Sequence, residues 1–327
     1  MSPRIYRDHD ATLDALKGRT VAVIGYGNQG SAWAKNLRDS GIDVLVGTIS
    51  DDSRARAGED GFPAHDVAAA ARAASVVCLL IPDEVMRSVI DEHIAPALDP
   101  GDTLCVASGY VPSFEDPKIP DGVDLVLVAP RMLGAGVRDA YLDGTGFITF
   151  VSVERDASGD APARMLALAR AIGGTRRGAV ELDARSEAVL DLFIEQGISA
   201  ALTKVWSDGA IALLEAGIPL EAILVEYYLS GEVEFAYRSL RTIGYEAQSR
   251  LHSETSQYGT LSRAPRFADI DTLDRMRAII ADISSGTFAA EWASDREAGY
   301  PALNELRAND PRAALTEFEQ DLRARLS

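Results

Sequence analysis

The sequence predicts an α/β domain built on a doubly wound sheet, followed by an all-helical domain. Three observations carry that expectation. In VAVIGYGNQGSAWAKNL, Val21 to Leu37, an apolar run meets a glycine-rich turn and then a segment with helical spacing. From Thr20 to about Glu181, short β-branched runs alternate with helix-compatible stretches, the pattern of repeated βα units. From Ser186 onward, isolated β-branched runs almost disappear.

The strand candidates are TVAVIGY from Thr20, DVLVGT from Asp43, SVVCLLIP from Ser75, TLCVAS from Thr103, DLVLVAP from Asp124 and FITFVSV from Phe147. Continuous apolar runs of this length fit strands of a parallel sheet buried on both faces. Between them SAWAKNLRDS, AHDVAAAARAA and ARMLALARAI have helical spacing. After Glu181 come long helical segments, and Gly217 followed by Pro219 reads as a helix stop and restart. The expected domains are 1–182 and 183–327.

With 327 residues, 47% hydrophobic and 25% charged, the chain has the profile of a soluble globular protein with room for two cores. No run approaches the about 20 apolar residues of a membrane span, and the charged N-terminus lacks a signal-peptide core. The expected location is the cytoplasm. A net charge of −18 argues against nucleic-acid and anionic-membrane partners, which require clustered Lys and Arg. Cys78 and Cys105 lie in apolar runs and are expected to be buried, inert thiols.

Gly25, Gly27 and Gly30 fit G-x-G-x-x-G directly after one strand and at the opening of one helix. The first glycine permits a tight turn, the second lets a pyrophosphate approach the backbone, and the third allows close helix–strand packing. The phosphates then rest on free N–H groups of the helix N-terminus. This context predicts a nicotinamide dinucleotide. After the second strand, Asp51 and Asp52 stand where an acid bonds the ribose hydroxyls of NADH. Arg54 and Arg56 are placed to hold the 2′-phosphate of NADPH, and Ser50 to Ser53 can also simply cap a helix. The balance favours NADH over NADPH, with Asp52 and Ser53 as contacts.

In the helical half, Asp191 and Glu195 in DLFIEQ are spaced i, i+4, which places both on one helix face. Glu232 lies on a later helix. Carboxylates that converge on an interior can bind Mg²⁺; a solvated acidic face is the alternative.

The run VAVIGYGNQGSAWAKNLRDSGIDVLVG resembles the opening of ketol-acid reductoisomerases, enzymes of branched-chain amino-acid synthesis. LLIPDEV at Leu79, DLFIEQ at Asp191, SETSQYG at Ser253 and ADISSGTFAAEW at Ala281 resemble further blocks of that family, in order and across nearly the whole chain. The length resembles the family's short form. The resemblance implies a Rossmann domain followed by a knotted helical domain, in a homodimer or larger homo-oligomer. It implies two steps: alkyl migration in a 2-hydroxy-2-alkyl-3-keto acid such as acetolactate at a two-Mg²⁺ site, then reduction of the new ketone by nicotinamide. By the same resemblance Asp191, Glu195 and Glu232 fall on metal ligands and Ser253 on a substrate-binding serine. Tyr26, Asn28 and Gln29 with the motif glycines, Pro82, Asp83, Glu84 and Gly134 fall on the cofactor side.

Several positions depart from the family at the chemistry. Counted back from SETSQYG, the two helical glutamates fall on Tyr228 and Glu232, so one metal carboxylate is a tyrosine. Arg131 stands for a lysine, Met132 and Leu133 for Gly-Pro, Ala135 for a histidine, and Ser108 for another histidine. A neutral phenol is a poor Mg²⁺ ligand. Arg131 is a permanent cation, Ser108 cannot titrate near neutral pH, and Met132 and Leu133 add apolar bulk beside the nicotinamide. His9, His65 and His93 lie outside the motifs; His252 adjoins Ser253.

The sequence therefore points to a divergent family member. The favoured expectation is a reductase of a C=O or C=N bond in a small, carboxylate-bearing substrate, with isomerisation lost or altered. Arg131 would pair with the substrate carboxylate or a developing oxyanion. Asp191, Glu195 and Glu232 would hold one Mg²⁺ or form a protonated network. The alternatives are an authentic Mg²⁺-dependent ketol-acid reductoisomerase and a non-catalytic dinucleotide-binding protein.

Overall fold

A computed structural model describes residues 2–326. The chain divides into two compact units, one ending at Asp191 and the other beginning at Leu192. The first holds nine strands in one sheet: β1 (Ile5–Tyr6), β2 (Thr20–Ile24), β3 (Asp43–Gly47), β4 (Ala64–His65), β5 (Val76–Leu79), β6 (Thr103–Val106), β7 (Asp124–Pro130), β8 (Ile148–Arg155) and β9 (Gly178–Glu181). Their order is β1-β9-β8-β7-β6-β5-β2-β3-β4.

All six apolar runs form strands, and every residue of β5 and β6 is buried, as coverage on both faces requires. The sheet is mixed rather than wholly parallel: β8 runs antiparallel to β7, and β1 to β9. An apolar run reports burial and not direction, so β8 carried no sign of its reversal. The two-residue strands β1 and β4 are too short to show a period.

The helices of this unit are α1 (Asn28–Asp39), α2 (Asp52–Glu59), α3 (Val67–Arg72), α4 (Asp83–Val89), α5 (Tyr110–Phe114), α6 (Gly134–Leu142), α7 (Ala161–Ile172) and α8 (Ala184–Phe193). Trp33 and Leu37 of α1 and Met165, Leu168 and Ile172 of α7 join one core with the sheet. Cys78 and Cys105 face each other across β5 and β6 as free, buried thiols. Burial pushes the Cys105 thiol up, which keeps it protonated and inert. The chain leaves β2 toward β3 on one side and returns to β5 on the other. Ligand crevices of such sheets open at this reversal, beyond the C-terminal ends of the strands.

Among the described residues no strand follows β9. The second unit contains α9 (Ala200–Glu215), α10 (Leu220–Leu224), α11 (Glu232–Ile243), α12 (Tyr245–Ser249), α13 (Glu254–Arg263), α14 (Leu273–Ser285), α15 (Thr287–Glu297), α16 (Pro301–Ala308) and α17 (Thr316–Leu326). The expected stop and restart is there: Gly217 has φ +85°, and Pro219 leads into α10. Ile194–Ser199 and Val225–Leu229 are wound as π-helix. Regular α-winding therefore ends at Phe193, between Asp191 and Glu195, so the two acids are not one turn apart on a single α-helix.

Candidate active site

The glycine turn joins β2 to α1. Gly25 has φ +93°, and a Cβ there would lie 2.4 Å from the Leu80 carbonyl oxygen, a clash that backbone would have to move to relieve. A Cβ on Gly30 would collide with the Gly25 carbonyl oxygen, whereas nothing lies within 4 Å of a Cβ on Gly27. The three glycines thus divide into tight turn, open approach and close packing, the division a bound pyrophosphate requires. Gly27 is the N-cap of α1, no side chain caps that end, and its first turn holds no acid. Its N–H groups are available to an anion.

Gln29 donates from Nε2 to the Met132 carbonyl at 2.8 Å, while its buried Oε1 has no hydrogen-bond partner in the chain. A buried acceptor left open at the rim of an anion cradle fits a ligand with donors. The Tyr26 side chain is buried, and its hydroxyl donates to Asp60 at 2.7 Å. Burial, reinforced by that bond, raises its phenol well above the ordinary value. Asn28 is exposed, and a Cβ on Gly134 would strike the Asn28 carbonyl. Gly134 therefore lets α6 approach the turn.

A cavity of about 410 Å³ opens beside this turn, and its wall includes Gly27, Thr48, Asp51, Ser53, Arg56 and Pro82. Asp51 caps α2 by accepting from the Ser53 N–H at 3.0 Å. Its carboxyl is held below the usual range first by its side-chain bond with Ser53. Of the two acids expected at the ribose, Asp51 lines the cavity, while Asp52 is exposed on the first turn of α2. Arg54 is engaged elsewhere, donating to the Thr48 carbonyl at 2.7 Å and the His65 carbonyl at 3.2 Å.

At the ends of β5, β6 and β7 a second group of side chains gathers. Glu187 of α8, 2% exposed, accepts from the Gly109 N–H at 2.8 Å and from Arg131 Nη1 at 2.8 Å. Arg131 Nη2 is paired with Asp191, and its guanidinium lies 5.2 Å from the Phe150 ring centroid. Ser108 Oγ lies 3.4 Å from Asp83 Oδ2. Burial pushes the Glu187 carboxyl up to about 7 and the Asp83 carboxyl up to about 6. Pro82 precedes α4, and Asp83 and Glu84 form its first turn.

Glu187 was missed in the sequence, although it stands at i, i−4 to Asp191 and the same helical rule covers both. Leu133 is 77% exposed, and Met132 packs back on the core, so the apolar bulk expected beside the nicotinamide divides between solvent and interior.

In the second unit the Tyr228 hydroxyl donates to Glu319 of α17. Burial first, then that bond, raises the phenol to about 12, so the tyrosine ties its π-helical turn to α17. Glu195 and Glu232 are exposed, and Glu232 opens α11. Ser253 caps α13, accepting from the Ser256 N–H at 3.2 Å. His252 lines a cavity of about 210 Å³ with Gln248, Ser256 and Gln257. Among the described residues no group of three or more His, Cys, Asp or Glu side chains is placed to hold a metal ion. Asp191, the one acid of the expected metal set in the first unit, is paired with Arg131.

Two family models match the chain: "Acetohydroxy acid isomeroreductase, NADPH-binding domain" over residues 15–178, and "Ketol-acid reductoisomerase, C-terminal domain" over residues 185–327. Among solved structures, an NADH-preferring ketol-acid reductoisomerase from an uncultured archaeon is 32% identical, with a TM-score of 0.88 over 93% of this chain and 94% of that one. A semialdehyde dehydrogenase NAD-binding protein from Cupriavidus necator has a TM-score of 0.60 at 19% identity, covering 81% of this chain and 98% of that one. A 1-pyrroline-5-carboxylate reductase from Streptococcus pyogenes has 0.52 at 16%, covering 82% and 98%. The last two likenesses are of fold alone.

Proposed function

The chain belongs to the ketol-acid reductoisomerase family, and from that premise we propose that it reduces a C=O or C=N bond of a small, carboxylate-bearing substrate, with the isomerisation step lost or altered. Like its family it is a nicotinamide-dependent oxidoreductase. When bound, the reduced cofactor supplies the hydride. The turn from Gly25 to Gly30 would hold its pyrophosphate, and the cavity wall from Thr48 to Arg56 its adenosine end.

The pairing of Arg131 with Asp191 and Glu187 carries the proposal. A lysine in the same place could surrender its proton, but a guanidinium stays charged. It occupies an acid that the resemblance assigns to a metal, and donors remain on its fork for a substrate oxygen. The test is NADH oxidation against a panel of small 2-oxo acids and cyclic imines, with EDTA and with Mg²⁺. Turnover that survives EDTA supports the proposal; turnover that requires Mg²⁺ contradicts it. A second proposal, an authentic Mg²⁺-dependent reductoisomerase, draws on the 32% identity across both units of the archaeal structure.

NADH is the proposed cofactor. Asp51 lines the cavity proposed for the adenosine end, where its charge would oppose a 2′-phosphate; Arg54 is committed to backbone carbonyls, and Arg56 in the same wall is the cation that would favour NADPH. Asp51→Ser keeps the helix cap and removes the charge. It is expected to raise the NADPH/NADH ratio of kcat/KM about tenfold, a change of roughly 1.4 kcal/mol; an unchanged ratio removes Asp51 from the explanation.

A homodimer or larger homo-oligomer is also proposed. The 16-residue α9 has no buried residue, and it exposes Val205 at 61% and Ile211 at 55%. A helix apolar on so much of its surface requires a partner, and a second copy of this chain suits it. The Val205→Glu, Ile211→Glu pair is expected to yield monomers by light scattering. A wild-type monomer would contradict the proposal.

The cytoplasm is the proposed location. Among the described residues no helix is long and apolar enough to cross a membrane.

A further inference from the structure

α2 stands along the cavity given to the adenosine end. Its cap Asp51 and, within it, Ser53 and Arg56 lie in the wall. Of its eight residues only Ala57 is buried. A helix seated on one small side chain depends on ties at its ends more than on packing. At the near end Arg54 donates to the Thr48 and His65 carbonyls. The far end closes on Asp60, its C-cap. A carboxylate there stands at the negative end of the helix, where α2 itself gains nothing from it.

The partners of Asp60 lie on α1 and in the glycine turn. Lys35 Nζ is 2.8 Å from Asp60 Oδ2, and Arg38 Nη1 donates to the Asp60 carbonyl at 2.7 Å. The two cations stand i, i+3 on α1 and share a face. The Tyr26 hydroxyl donates to the same Oδ2 at 2.7 Å, and its ring centroid lies 5.9 Å from that of Phe62. Tyr26 stands between Gly25 and Gly27, whose backbones are free to turn. The set of the turn therefore depends on its one anchored side chain, and that anchor ends on Asp60. The Asp60 carboxyl is held below the usual range, first by its bond with Lys35 and then by that with Tyr26. It is ionised at neutral pH.

We propose that Asp60 is a positioning residue for the cofactor: through Tyr26 and α1 it holds the phosphate turn and α2 at one spacing. The inference rests on the cavity being the adenosine site. Asp60 acts from outside the cavity wall. A dinucleotide engages both parts at once, and a spacing fixed beforehand spares the cost of ordering them on binding. The same strut keeps Asp51 in the wall, against a 2′-phosphate.

The full chain and its variants are titrated with NADH and with NADPH, read by nicotinamide fluorescence. Asp60→Ala and Tyr26→Phe should each weaken NADH binding about tenfold, the loss expected when the ligand must order its own site. NADPH should lose about threefold or less, because the repelling Asp51 recedes with α2. Asp60→Ala combined with Tyr26→Phe should bind NADH no more weakly than either alone, as for two members of one interaction. Asp60→Asn keeps an acceptor for the Tyr26 hydroxyl and should restore NADH affinity to within about twofold of wild type. Tyr26→Phe keeps the ring on Phe62 and carries the test if Asp60→Ala does not fold. Unchanged NADH affinity in the variants, equal losses for both cofactors, additive losses in the double variant or no rescue in Asp60→Asn overturns the inference alone. Binding of neither cofactor by the wild type overturns the reading of the cavity with it.

Discussion

Arg131→Met is expected to lower NADH-dependent turnover about 100-fold or more, and to destabilise the fold by roughly 1–3 kcal/mol at pH 8. Removing one partner of a buried ion pair costs about 3–5 kcal/mol. The Arg131 side chain is 30% exposed, which places the expectation lower. The loss should depend on pH in a defined sense. The Glu187 carboxyl lies near 7 in the fold, against an ordinary value of 4.5. A raised value means that the fold favours the protonated acid. That contribution is full below about 4.5 and disappears as pH rises through about 7. Without the guanidinium, which lowers Glu187, the carboxyl rises further, and the charged form becomes the costly one. Denaturant midpoints of the two proteins should lie close together at pH 5 and apart at pH 8. A gap of equal size at both values would mean that Arg131 contributes packing rather than charge.

A pair of glycine substitutions should separate fold from cofactor binding. Gly30→Ala sets a Cβ against the Gly25 carbonyl oxygen, backbone against side chain at the base of the turn. Neither β2 nor α1 can retreat without opening the core around Trp33. Overpacking of this kind costs about 1–3 kcal/mol or more, and we expect a lower melting temperature together with lost NADH binding. Gly27→Ala places its methyl in open space. It should leave the melting temperature nearly unchanged and still weaken NADH at least tenfold, because the methyl fills the approach of the pyrophosphate. Unchanged NADH affinity in Gly27→Ala would show that phosphate does not pass over this turn.

The legible parts of the fold were those with a local signal. Six strands and the glycine turn could be read because buried strands are apolar throughout and because the three glycines meet three different steric demands. The helical half was legible from its lack of β-branched runs and from Gly217 and Pro219. The reversal of β8 was not, since a short apolar run such as FITFVSV carries the same residues whichever way the strand runs. The π-helical turns left no signal either, so the spacing of Asp191 and Glu195 suggested a regular α-helical face.

At the site, sequence singled out Arg131, Asp191 and Asp83 but not what they touch. Glu187 was hidden among many surface acids, and its role became visible only with its burial and its two donors. Tyr228 shows the converse. As a replaced carboxylate it drew attention in the sequence, and its hydroxyl turns out to serve Glu319 of the last helix.

The most direct measurement offers the protein two substrates side by side with NADH and Mg²⁺: acetolactate, which must rearrange before it can be reduced, and the already rearranged 3-hydroxy-2-keto acid. The account predicts NADH oxidation with the second and little or none with the first. Comparable rates with both, abolished by EDTA, would restore a complete reductoisomerase and contradict it.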